Sequence, residues 1–224
     1  MLDEPGMKHS VVFKERYDSQ LGPLDLLLKS TAQGIKTAPG NSFFVTAGHE
    51  TTIKQVTPKP DWLPPKLLVE STTAWMFYIR KFNASEEQLS VSLERITADS
   101  AMQSGGAGGQ HLIAIEIENG IRQLHIGTED EVAMAGRAAK NDWMPPRFEG
   151  PLMNYELEIT TVTSLGLATQ IPRLNAGEQF YFHYLIAENP CRQSAEYPDE
   201  SDASTWFAVD QSKKQLEQTL GAKA

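Results

Sequence analysis

Apolar and polar residues alternate along much of this chain with a period of two, the pattern of half-buried β-strands. The clearest stretch is HLIAIEIENGIRQLHIG, residues 111–127. Asn119-Gly120 between alternating apolar residues is a strong hairpin signal. A two-residue loop there sets Glu118 against Ile121, Ile115 against Leu124 and Ala114 against His125. Directly opposed residues share a face. One face then carries Ile113, Ile115, Ile117, Leu124 and Ile126, and the other Ala114, Glu116, Glu118, Gln123 and His125. An apolar sheet face must be covered, so this hairpin is half of a two-layer core.

Two further stretches, TTAWMFYIRKF (72–82) and FYFHYLIAE (180–188), are apolar on both alternating faces. Strands of that kind lie between layers. VVF at 11–13 opens a first strand, SFFVTA follows the turn-forming APGN, and NYELEITTVT (154–163) and STWFAVD read as later strands. SEEQLSVSLERI reads as a strand because Leu89, Val91 and Leu93 alternate with serines, although Ser85 and Gln88 also spell a capping box. Residues 23–33 permit a helix or a strand. Thr128 with Glu131 predicts an N-cap and a short helix through the alanines that follow. SKKQLEQTLG predicts a last short helix stopped by Gly221. The glycine-rich AMQSGGAGGQ (101–110) reads as a mobile connection. A phosphate loop needs a helix start with Lys after the glycines, and here a strand follows.

These elements predict a mainly antiparallel β-sandwich, of jelly-roll or immunoglobulin-like type, with two or three short helices. The expected organisation is a flexible N-terminus over 1–10, one sandwich over 11–211, and a short C-terminal helix and tail over 212–224.

One phrase is written twice: DWLPPK at 61–66 and DWMPPR at 142–147. At the offset between the copies, FFV (43–45) overlies LHI (124–126). The repeat has three readings: duplication of a β-unit, with half-repeats about 41–97 and 111–189; similar local needs at two corners; or a chance match between short strings. Paired prolines remove two backbone donors and stiffen the segment, so it cannot be a central strand. Its tryptophan offers a large apolar surface with one N–H donor. As a structural strap, the indole closes an open end of the sandwich. As a functional element, Trp62 and Trp143 form rigid aromatic platforms for a ligand or a partner's proline, with Trp206 as a third ligand-binding candidate.

Bulk properties narrow the field. The net charge of −9 over 224 residues disfavours nucleic acid, which demands clustered Lys and Arg, and also anionic lipid. With no long apolar segment and a single cysteine, Cys191, the expected setting is the cytoplasm, without membrane contact. Arg192 beside Cys191 is expected to lower its pKa slightly.

Catalytic patterns are sparse. The five histidines are His9, His49, His111, His125 and His183, and none stands in an HExxH, HxH or CxxC context. His111 is expected on the apolar hairpin face and His125 on the other, His49 at the surface, and His183 as a hydrogen-bonded core residue. Glu116 with Glu118, and Glu156 with Glu158, read as solvated strand faces. No catalytic residue, metal ligand or cofactor class is assigned. The sequence therefore points to a non-enzymatic binding or assembly protein acting through sandwich-end loops or sheet edges. Self-association or a protein partner is expected, and a small ligand is compatible. The alternative is a small β-fold enzyme, such as a metal-dependent hydrolase, using His183 with a carboxylate, Glu188 or Glu116.

Overall fold

The computed structural model describes residues 9–32, 36–37, 42–58, 69–96, 102–192 and 203–221. The strands are β1 (Ser10–Ser19), β2 (Gly22–Ser30), β3 (Lys36–Thr37), β4 (Phe43–Val45), β5 (His49–Val56), β6 (Ser71–Lys81), β7 (Leu89–Arg95), β8 (Gln103–Gly106), β9 (Leu112–Glu118), β10 (Arg122–Glu129), β11 (Thr160–Val162), β12 (Gly166–Gln170) and β13 (Gln179–Pro190). They form a five-stranded sheet, ordered β1-β2-β7-β12-β11, and an eight-stranded sheet, ordered β3-β4-β5-β6-β13-β10-β9-β8. Every pairing is antiparallel. The expected β-sandwich is what the chain forms.

Alternation decides which side chains meet between the sheets. Leu24, Leu26, Leu28, Val91 and Leu93 of the smaller sheet share one buried core with Trp75, Phe77, Ile79, Phe182 and Tyr184 of the larger. The opposed residues Phe77 and Phe182 stack at 4.6 Å between ring centroids, 5° from parallel. The Tyr184 hydroxyl crosses the core to the Val91 carbonyl at 3.0 Å and the Thr169 hydroxyl at 2.7 Å, joining the two sheets. Tyr184→Phe should cost about 1–2 kcal/mol, because it strands buried acceptors while leaving the packing intact. Urea denaturation checks this, and a loss below a few tenths would show that the cross-sheet bond carries little.

One end of the sandwich is plugged by helix α1 (Glu131–Ala138), a 3-10 turn (Pro146–Phe148) and helix α2 (Glu149–Met153). Met134, Ala138, Met144, Phe148 and Leu152 from this segment enter the main core. Helix α3 (Ser204–Gly221) covers the outer face of the larger sheet. There Ala208, Val209 and Leu216 pack with Met76, Leu112, Tyr181 and Leu185 in a second core. The helix sits so close that a Cβ on Gly127 would lie 2.5 Å from Val209 Cγ1.

Several local expectations are corrected. The β9–β10 connection is four residues long, so Glu118 faces Gln123 and Ile117 faces Leu124. The Asn119 side chain accepts from Ile121 N–H and Arg122 N–H, which stabilises the longer turn. A shift of two preserves side-chain parity, so the predicted faces stand. Of the two options open for residues 23–33, the strand is the one taken over 22–30, as β2, with Leu24, Leu26 and Leu28 in the core. The N-cap of α1 is Asp130, whose carboxylate accepts from Ala133 N–H, and Thr128 lies buried in β10. STWFAVD is the start of α3, so the C-terminal helix begins at Ser204 rather than near 212. Within the glycine-rich stretch, Gln103–Gly106 is an edge strand paired with β9. Only Thr160–Val162 of the stretch 154–163 is a strand. Residues 1–8, the core of the expected flexible N-terminus, lie outside the described residues.

Candidate functional site

The second repeated phrase is a strap that wraps the edge of the larger sheet. Beyond Gly127, β10 no longer pairs with β13, leaving backbone groups of β13 to be satisfied. The Trp143 carbonyl accepts from Tyr181 N–H at 2.9 Å, and the Arg137 guanidinium donates to the Tyr181 carbonyl at 2.8 Å. Met144 is fully buried in the main core, Pro145 is buried, and Arg147 forks onto Glu178 at 2.9 and 2.7 Å. The structural half of the sequence reading therefore needs one correction. The plug is Met144 with Phe148, while Trp143 is only half-buried and turns to the other side of the strap.

Trp143 adopts φ +51°, a left-handed conformation that costs a bulky residue roughly 1–3 kcal/mol. Its indole meets the Tyr78 ring edge-on at 5.1 Å, and Tyr78 in turn contacts Tyr181 and lies under the Lys54 ammonium. The strap and the β12–β13 connection enclose a groove of about 220 Å³. Trp143, Met144, Pro145 and Pro146 line one wall, and Asn141, Glu178 and Gln179 line the rest.

Trp143 and Trp206 do not form one platform. Trp62 and its DWLPPK phrase lie outside the described residues. Trp206 belongs to α3, donates its indole N–H to the Ala107 carbonyl at 2.8 Å and packs edge-on against Phe207. Trp143 stands over β6 and Trp206 beside β8 and β9. Strands β6 and β9 are three positions apart in the sheet, about 14 Å at the usual strand spacing.

The residues named for an enzymatic reading are also separated. His183 is fully buried on the outer face of the larger sheet, its Nδ1 3.0 Å from the Tyr181 hydroxyl. Burial pushes its pKa down to about 4, with Arg137 and Lys213 acting in the same direction against Glu129. Glu188 faces the sandwich interior, where it accepts from Gln20 N–H at 3.0 Å and bonds Tyr17, whose hydroxyl is pushed up to about 12 by burial and this carboxylate. Glu116 lies 4.0 Å from His125, which bonds Thr205 of α3 at 2.7 Å and is itself held down to about 4 by burial. The His125–Thr205 bond ties α3 to the sheet. No group of three or more His, Cys, Asp or Glu among the described residues is arranged to hold a metal ion.

Other side chains depart from their expected settings. His49 is 3% exposed, not at the surface: its Nδ1 lies 2.9 Å from Glu87 in a buried polar knot. His111 is an exposed turn residue at φ +65°, its Nδ1 3.5 Å from an Asp130 carboxylate oxygen, rather than part of the apolar face. The Cys191 pKa is raised by burial and by Glu118, the reverse of the expected effect of Arg192. Glu87 carried no sequence signal, because its partners lie as far as 57 positions away.

The comparisons with known proteins place little beside this geometry. No family model and no curated protein matches the chain. Among solved structures, a protein described as a kojibiose phosphorylase from human microbiome aligns over 95% of this chain and 23% of its own length, with a TM-score of 0.44 and 7% identity. The chain thus spans about a quarter of that protein. No helix of the described residues is long and apolar enough to cross a membrane.

Proposed function

We propose that this chain is a non-enzymatic binding protein that captures an extended segment of a protein partner in the groove beside Trp143. The observation that carries the reading is the strained backbone of Trp143, which holds a half-buried indole at the wall of a groove. Strain of this kind persists where the surroundings over-determine it, and it gathers at ligand clamps. Size separates a peptide from a metabolite. At about 220 Å³ the groove is smaller than the roughly 300–1,000 Å³ of small-molecule pockets, and it suits one or two side chains. Its chemistry fits the same occupant. Trp143 and the two prolines offer a rigid apolar wall, and the carboxamides of Asn141 and Gln179 can pair with a partner's backbone. Rigidity limits the ordering cost of binding.

Selection from a random peptide library on the full chain tests this, with counter-selection on Trp143→Ala. Peptides centred on proline or an aliphatic residue are expected to bind the wild type and to lose at least about ten-fold on the variant, the effect of one buried aromatic anchor. Equal binding to both proteins, or failure to select any peptide, would overturn the reading.

A further inference from the structure

The smaller sheet carries a second depression on its outer face, away from the Trp143 groove and independent of it. Register defines its floor. Leu27, Ser92, Ala168 and Thr161 lie side by side across β2, β7, β12 and β11, and Lys29, Ser90 and Gln170 form the next row. The short side chains in the centre, Ser90, Ser92 and Ala168, leave a trough of about 320 Å³ between longer neighbours. That volume lies at the lower end of small-molecule pockets.

Ser92 points to an occupant. It is 7% exposed, yet its hydroxyl has no hydrogen-bond partner in the structure. A hydroxyl offers one donor and two acceptor sites, and burying it unpaired is costly. The inner-facing neighbours Val91 and Leu93 are apolar, so the sequence readily supplies core residues beside this position. A serine at the bottom of an open trough is explained by a ligand that pairs with it.

The walls restrict the chemistry. Among the described lining residues, Glu94 and Glu158 oppose one ammonium, Lys29, which disfavours an anion. One Glu94 oxygen accepts from the Thr163 hydroxyl at 2.8 Å, leaving the other for a ligand donor. Among the described residues no aromatic ring lines the trough, so a flat heteroaromatic ligand finds nothing there to stack on. Carboxylates that accept, an ammonium that donates and serines that do both match groups that donate and accept together. We infer that this trough binds a small neutral polyhydroxylated molecule, of the size of one sugar ring, with Ser92 as the buried hydrogen-bonding partner.

Amide-resolved NMR titration of the full chain with D-glucose, D-galactose, D-mannose and myo-inositol tests the inference. At least one should give saturable shifts centred on Ser90, Ser92 and Ala168. Ser92→Ala should weaken that binding roughly five- to ten-fold, as loss of one hydrogen bond does, while leaving the melting temperature of the free protein unchanged or higher. Ala168→Leu fills the trough from a half-exposed position and should abolish the shifts while its spectrum stays folded. The absence of saturable shifts with all four probes would overturn the proposal, as would undiminished binding by Ala168→Leu. Tighter binding of glucose 6-phosphate than of glucose would overturn the assignment of a neutral ligand.

Discussion

Arg137→Ala is expected to destabilise the protein by about 3–5 kcal/mol, the usual cost of removing one partner from a buried ion pair. Arg137 is 6% exposed and forks onto Glu129, which is fully buried, at 2.8 and 2.7 Å. The same guanidinium donates to the carbonyls of Tyr181 and Asp142, the latter at 3.2 Å. It therefore ties α1 to β10, to the free edge of β13 and to the strap. Alanine would leave a buried carboxylate without its counter-charge and a strand carbonyl without its donor. Arg137→Lys should fall between wild type and alanine, since an ammonium cannot reproduce the planar fork. The double variant Glu129→Met/Arg137→Met should recover much of the loss, because the uncompensated charge is then absent. Urea denaturation of the four proteins measures this directly. A loss below about 1 kcal/mol for Arg137→Ala would place this pair with the surface ion pairs that contribute little.

Glu87→Ala should rank second, at about 3 kcal/mol or more. One Glu87 oxygen accepts from the Ser30 hydroxyl of β2, and the other accepts from the Thr46 hydroxyl at 2.8 Å and Gly48 N–H at 2.6 Å, with the His49 ring at 2.9 Å. The knot joins the smaller sheet to the larger at one end of the core. It is packed so tightly that a Cβ on Gly48 would lie 1.9 Å from Ser85 Oγ and 2.8 Å from Lys81 Nζ. Burial alone would raise the Glu87 pKa, but the bonds from His49, Ser30, Thr46 and Gly48 outweigh it and hold the carboxyl at about 2. A depressed carboxyl pKa stabilises the fold above the ordinary value near 4.5, and the stabilisation is lost as pH falls toward 2. At about 1.4 kcal/mol per pH unit, the contribution is on the order of 3 kcal/mol. The gap in stability between wild type and Glu87→Ala should therefore be widest above pH 5 and should shrink as pH is lowered to 2. A gap that stays constant over that range would refute the carboxylate's role in acid stability.

The two proposed sites were unequally legible. The strap was visible as a repeated phrase, because two prolines and a tryptophan carry their stiffness and apolar area wherever they stand. Which of its residues would be buried was not visible, since that depends on where the strap crosses the sheet edge. The crossing sends Met144 inward and leaves Trp143 half-exposed. The trough on the smaller sheet had no linear signature. Ser92 looks like an ordinary outward strand position, Ala168 stands in a stretch for which no element is predicted, and only their pairing makes a depression.

The same division runs through the whole molecule. Alternation alone determined the sandwich, the faces of β9 and β10, and the central places of β6 and β13, because side-chain period and burial are local properties of an extended chain. Even a misplaced hairpin register left those faces correct, since the error was an even number of residues. Tertiary structure decided what depends on distant partners. STWFAVD became the start of α3 because the outer face of the larger sheet offered Leu112, Leu185 and Tyr181 for a helix to cover. His49 went inside because Glu87, 38 positions away, was there to bond it. Burial of a polar group is settled by its partners, and the partners are chosen by the fold.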